Sequence, residues 1–198
     1  TGALKAASTL QSNRGNFTNT VGATTANNTL TISGVSGSSV YAGGLAVGGS
    51  TFGGNSGVIS RPGTQAVPSY KLAANGAQIN LGVSSSNNSL TVSNGAYLYT
   101  TQGGGTMTWT IGTNAGANNN SILITGVGST IDRSGGSGSA VNVGAAGDNN
   151  SVTISAGGKL KPRRYAIATN GGDNNYTLVT GSGSTLDNNE SNSRLTIA

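Results

Sequence analysis

"NNSLTVS" occupies Asn87–Ser93, "NNSILIT" Asn119–Thr125 and "NNSVTIS" Asn149–Ser155. Each opens on paired asparagines and continues as an alternation of apolar and hydroxyl or small residues. "NNTLTIS" from Asn27 and "NNYTLVT" from Asn174 repeat the pattern, a degraded "NSGVIS" starts at Asn55, and "NSRLTI" echoes it near the end. The copies start 28, 32, 32, 30 and 25 residues apart. A fixed period of this size is the mark of a repeat architecture. The period of two within each copy is that of a pleated strand: Leu90 and Val92 point inward, and Ser89, Thr91 and Ser93 point outward.

A second element, apolar-x-apolar-Gly, precedes most copies: "LAVG" ending at Gly48, "INLG" at Gly82, "WTIG" at Gly112 and "VNVG" at Gly144, with "YAIA" ending at Ala168 as a weaker version. A third follows them: a glycine-bearing turn, then an inward apolar residue at Leu98, Ile131, Leu160 or Leu186. Each unit therefore holds two or three short strands between Gly/Asn turns. One unit cannot bury its apolar face alone, but stacked units pair each strand with its counterpart one coil away. The expected fold is all-β, a parallel β-solenoid of about six to seven coils with little or no helix, making a rod roughly 30 Å long. Residues 1–26 depart from the repeat and read as an N-terminal cap or assembly segment; 27–198 are the solenoid repeats.

Composition agrees. Of 198 residues only 34% are hydrophobic and 8% charged, while glycine supplies 34. Such a chain cannot build a thick layered core, and a thin solenoid core needs none. Glycine and asparagine tolerate the left-handed backbone of tight corners. Asparagines at one corner of every coil can stack as an amide ladder. The ladder is expected on the first member of each pair: Asn27, Asn87, Asn119, Asn149 and Asn174.

The coils are of two alternating kinds. One reads "NNSLTVSNGAYL" and "NNSVTISAGGKL"; the other reads "NNSILITGVGSTID" and "NNYTLVTGSGSTLD". The run "ITGVGSTIDRSG…VNVGAAGDNNSVTISAGGKL" resembles the T5SS/PEP-CTERM-associated repeat of large exported bacterial proteins, well over residues 75–198 and loosely over 20–74. It departs from that pattern at Ile131 and Leu186, where a tryptophan commonly follows "GST". The resemblance implies a β-helical passenger or surface protein, exported to the cell surface or beyond. It implies no activity and brings no catalytic residues.

The residues themselves point away from enzymology. Without histidine the commonest general base and metal ligand are missing, and without cysteine there are no disulfides or thiolate sites. Five acids are scattered along the chain, unlike the close carboxylates of carbohydrate-cleaving sites. No catalytic residue, cofactor or established metal site is expected. Asp148 and Asp173, each just before "NN", are weak Ca²⁺ candidates, because hard cations take oxygen ligands; the alternative is a solvated polar corner. No apolar run approaches the roughly 20 residues of a membrane span. No initiator Met or signal peptide opens the chain, as in a processed product or a fragment.

The net charge is +5, but four of the ten bases lie in "KLKPRR", Lys159–Arg164. Lys159, Lys161, Arg163 and Arg164 form either a basic turn, one side of a subunit contact, or a contact for anionic polysaccharide, lipid headgroups or nucleic acid. The segment lacks the interleaved aromatics of a nucleic-acid platform. Leu123 and Leu178 take outward positions and can form a contact stripe. Tyr97 and Tyr99 flank inward Leu98, face outward, and could stack on sugars or on a neighbouring molecule. Trp109 aligns with inward Ile79 and Val141 and belongs to the core.

The function expected is that of a non-enzymatic extracellular structural protein: a solenoid building block of a surface fibre, filament or biofilm matrix. It would assemble with itself, or within a longer parent chain, by strand pairing and by end-on or lateral contacts. The alternatives are the stalk or passenger of an adhesin that binds host or matrix carbohydrate, and an ice-binding protein. The hydroxyl array an ice template needs is interrupted by Leu every other coil.

Overall fold

The computed structural model describes residues 79–100, 108–133, 140–188 and 194–198, together with strand backbone at 2–5, 10–11, 18–21, 29–33, 40–42, 44–47, 56–60 and 70–72. All regular structure among them is strand. Numbered in chain order, twenty-one strands form three sheets of seven. The first stacks β1 (Gly2–Lys5), β4 (Thr29–Ser33), β7 (Ser56–Ser60), β10 (Ser89–Ser93), β13 (Ser121–Thr125), β16 (Ser151–Ser155) and β19 (Tyr176–Thr180). The second stacks β2 (Leu10–Gln11), β5 (Val40–Ala42), β8 (Tyr70–Leu72), β11 (Tyr97–Thr100), β14 (Thr130–Arg133), β17 (Lys159–Pro162) and β20 (Thr185–Leu186). The third stacks β3 (Thr18–Val21), β6 (Gly44–Val47), β9 (Ile79–Leu81), β12 (Thr108–Ile111), β15 (Ala140–Val143), β18 (Arg164–Ile167) and β21 (Arg194–Ile197).

Every pairing is parallel and joins a strand to the one a coil away. Ser89 faces Ser121, Ser121 faces Ser151, and Ser151 faces Tyr176. The expected parallel β-solenoid is observed. Within residues 1–26, β1, β2 and β3 each stand first in a sheet and pair with β4, β5 and β6.

The core is one thin column filled from all three sheets. Leu90 and Val92 from the first, Leu98 and Ile131 from the second, and Trp109, Ile111 and Tyr165 from the third are all buried in it. The alternation read from the sequence holds in β10, β12 and β13, where inward residues are buried and outward ones half-buried.

Two buried polar groups complicate this apolar column. Arg133 is wholly buried, with its guanidinium 5.8 Å from the Trp109 ring centroid. At that range a cation is attracted to the ring face, but desolvation still disfavours its charge and lowers its pKa to about 10. Burial likewise raises the pKa of the Tyr165 phenol, and its hydrogen bond with Thr177, 2.7 Å long, partly opposes the shift.

Candidate functional surfaces

The corners are built by the paired asparagines, in a division of labour the sequence did not announce. The first of each pair turns the chain: Asn87, Asn119, Asn149 and Asn174 have φ of 61°, 57°, 55° and 55°. Asparagine tolerates this left-handed region better than most side chains. The second of each pair forms the ladder. Asn88 Nδ2 donates to Asn120 Oδ1 at 2.8 Å, Asn120 Nδ2 to Asn150 Oδ1 at 3.0 Å, and Asn150 Nδ2 to Asn175 Oδ1 at 3.1 Å. Each of those oxygens also accepts the backbone N–H of the asparagine one coil earlier. The ladder expected on Asn87, Asn119, Asn149 and Asn174 is thus displaced by one residue. A left-handed residue reverses the chain, and the next side chain turns inward along the stack. Asn27 lies outside the described residues.

The ladder accounts for the glycine of the apolar-x-apolar-Gly element. A Cβ on Gly82 would collide with the Asn120 side chain, one on Gly112 with Asn150, and one on Gly144 with Asn175. All three glycines also have positive φ. The weaker copy carries Ala168 there, at φ 57°, and among the described residues no ladder asparagine lies beyond Asn175.

A second corner accounts for the alternation of coil kinds. In "TGVGST" the Ser129 hydroxyl donates to Thr125 O at 2.7 Å and accepts the N–H of Gly95 from the preceding coil at 3.0 Å. In "TGSGST" Ser184 does the same with Thr180 O at 2.7 Å and Gly157 N–H at 3.0 Å. One kind of coil offers a glycine N–H at this corner and the next offers a serine oxygen.

The acids proposed for Ca²⁺ lie in a third column of the same construction. Asn118 N–H donates to Ser86 Oγ at 3.0 Å, Asp148 N–H to Asn118 Oδ1 at 2.8 Å, and Asp173 N–H to Asp148 Oδ1 at 2.8 Å. Asp148 therefore occupies the place that serine and asparagine fill in earlier coils, and one of its oxygens holds a backbone amide. Among the described residues no three Asp, Glu, His or Cys side chains gather as a metal set. Asp173 is exposed.

The outer faces of the sheets differ sharply. On the first, the central outward position reads Thr91, Leu123, Thr153, Leu178 up the stack. Leu123 and Leu178 are thus two coils apart with Thr153 between them, in a strict alternation rather than a continuous apolar stripe. On the second, Tyr97 is half-buried and its Oη donates to Asp132 Oδ2 at 2.7 Å. Tyr99 pairs with Asp132 through the backbone, and its side chain lies outside the described residues. Lys161 is the register partner of Asp132 on one side. On the other side the pairing ends at Leu160 and Leu186, and the N–H of the next residue, Asp187, donates to Leu160 O at 2.8 Å. Lys159 is exposed and lies between Thr130 and Thr185.

Arg163 alone separates β17 from β18, so Lys159 and Lys161 on the second sheet and Arg164 on the third flank one abrupt corner. Arg163 is half-buried and Arg164 exposed. Sequence reading grouped these four bases but missed Arg194, which strand register sets directly against Arg164. Ser129, Ser184 and Arg133 were missed as well. Continuing the alternation from inward Ile131 through Asp132 would have pointed Arg133 into the core.

No family model, curated protein or solved structure matches the chain significantly.

Proposed function

We propose that the chain is a non-enzymatic, self-assembling structural module: a solenoid of six to seven coils that builds an extracellular fibre, filament or matrix by end-on stacking. The observation that carries this reading is the pairing itself: each strand pairs in parallel with its counterpart one coil away, so a further coil of the same kind extends the stack by the same backbone hydrogen bonds. Val179, Leu195 and Ile197 take inward positions in β19 and β21 and are exposed. β19, β20 and β21 end their sheets, so their outer backbone edges face the same way. An uncovered edge of this kind is a template for another strand. β1, β2 and β3 stand at the other end of the same three sheets. Pairing one molecule's last coil with the next molecule's first is a head-to-tail contact that does not close, and such contacts generate filaments. The alternating Thr and apolar residues on the first sheet suit lateral packing of those filaments, with Leu knobs over Thr. The motifs shared with the exported repeat described above support a surface or extracellular location.

Electron microscopy and sedimentation of the purified chain test the reading. Rods that lengthen with concentration, and that shorten when Ile197→Lys places a charge at the exposed end, are the expected result. A strictly monomeric rod at high concentration would rule out self-assembly and favour an adhesin stalk. Glycan-array binding would then identify the adhesin, and thermal hysteresis an ice-binding protein.

A further inference from the structure

The stacking register sorts the basic residues into two groups with different electrostatic fates. Lys161 is the register partner of Asp132, and on its other side Asp187, whose N–H donates to Leu160 O, is the acid nearest in sequence to its neighbouring strand. Arg164 sits between Ala140 and Arg194. Both arginines are exposed, on the outer face of the third sheet. Parallel neighbours lie about 4.8 Å apart, and like charges directly opposite one another destabilise a sheet. A solenoid that only needed a solvated face would gain by placing a small neutral residue here, as it does at Ala140 and Thr108 in the two preceding coils. Lys159, across the one-residue corner and also without a carboxylate as register neighbour, adds to the same positive field.

We propose that Arg164 and Arg194 form an anion-binding pair for a polysaccharide carrying sulfate or carboxylate groups. Two guanidinium forks at strand spacing can each engage an oxyanion bidentately. The column beside them on the same face reads Thr110, Asn142, Ala166 and Thr196, in which the Thr and Asn side chains are neutral donors and acceptors suited to sugar hydroxyls and Ala166 leaves room beside Arg164. No aromatic residue takes an outward position in β12, β15, β18 or β21. The stacking surface that single-stranded nucleic acid uses is therefore missing from this face, and the chemistry favours an acidic glycan.

Binding of the full chain to dextran sulfate, to alginate, to neutral dextran and to single-stranded DNA tests the assignment. Dextran sulfate and alginate separate sulfate from carboxylate recognition. At least one should bind, with affinity falling as salt rises, and neutral dextran should not. Arg164→Gln combined with Arg194→Gln should weaken binding roughly tenfold or more. Lys161→Gln removes the same kind of charge from a neutralised place and should change affinity less than about twofold. The double variant should fold at least as stably as the parent, since a repulsive pair is removed. Equal losses from Lys161→Gln and from the arginine variant would reduce the effect to net charge and overturn the proposal. So would unchanged binding in the double variant, binding to neither acidic glycan, or tighter binding to DNA.

Discussion

The interior coils and the last coil are written in the same alphabet, and they differ in what lies above them. Ile154 in β16 is 0% exposed, whereas Val179, its register partner in β19, is 42% exposed. Ile167 in β18 is 9% exposed and Ile197, its partner in β21, is 71% exposed. Residue type and inward position are matched in each pair. Burial in a solenoid is thus a property of the stack, and a coil completes its core only when the next one arrives.

Substitutions at matched positions can break or sharpen this contrast, and chemical denaturation is the direct measurement. Ile154→Ala should cost about 4 kcal/mol, through lost transfer energy and a cavity in a core too thin to collapse around it. Ile197→Ala should cost under about 0.5 kcal/mol in the monomer. It should cost substantially more within filaments, if the end is covered there.

The ladder offers the next test. Asn120 is buried and bonded to asparagines on both sides, so Asn120→Ala should cost about 3 kcal/mol by removing two ladder bonds and stranding the Asn88 backbone N–H, which donates to Asn120 Oδ1. Asn175→Ala, at the last recorded rung, should cost about 1 kcal/mol. Equal effects would mean that the ladder adds nothing beyond the local corner.

Beneath that ladder, Gly144→Ala should cost about 2 kcal/mol or more, from strained positive φ and collision with Asn175. Ala168→Gly, at the matching place where no ladder asparagine is recorded above, should change stability by less than about 0.5 kcal/mol.

Arg133 is an interior liability that the last coil lacks. Its lowered pKa, about 10, means that burial penalises the charged form. At neutral pH both folded and unfolded chains carry the proton and the penalty is fully present. As pH rises above about 10 the folded state loses the proton first, so this contribution to stability improves. Arg133→Met should therefore stabilise by about 1 kcal/mol at pH 7, and the advantage should shrink above pH 10, where thermal midpoints of the two chains converge. The smallest expected change is Asp148→Asn, within about 0.5 kcal/mol. Asn118 already does the same work one coil below, with its Oδ1 on the next backbone amide. A large loss of stability in that variant, restored or explained by Ca²⁺ dependence of the parent, would return Asp148 to the role of metal ligand.

Much of the fold was legible because a solenoid repeats its instructions. Period-two alternation in "SLTVS", "SILIT" and "SVTIS" named the inward residues, and the spacing of the copies named their partners one coil away. The corners were legible only to within a residue. "NN" marked a turn, but which asparagine takes the left-handed backbone and which joins the ladder depends on the direction the chain leaves the turn. The basic cluster was harder still. "KLKPRR" was visible as a run, while Arg194 is thirty residues from Arg164, and loops of unequal length between coils hide their alignment.

The amino-acid sequence by itself determined that this chain is a stack of short parallel strands with Gly/Asn corners, because period and residue type are local signals repeated many times. The tertiary structure decided which side chains touch between coils. It put Asn88, Asn120, Asn150 and Asn175 in one ladder, Ser129 and Ser184 beneath the turns of other coils, Asp132 beside Lys161 and a second arginine against Arg164. Those pairings depend on register across corners of variable length, and register is fixed by backbone hydrogen bonds that no single segment encodes.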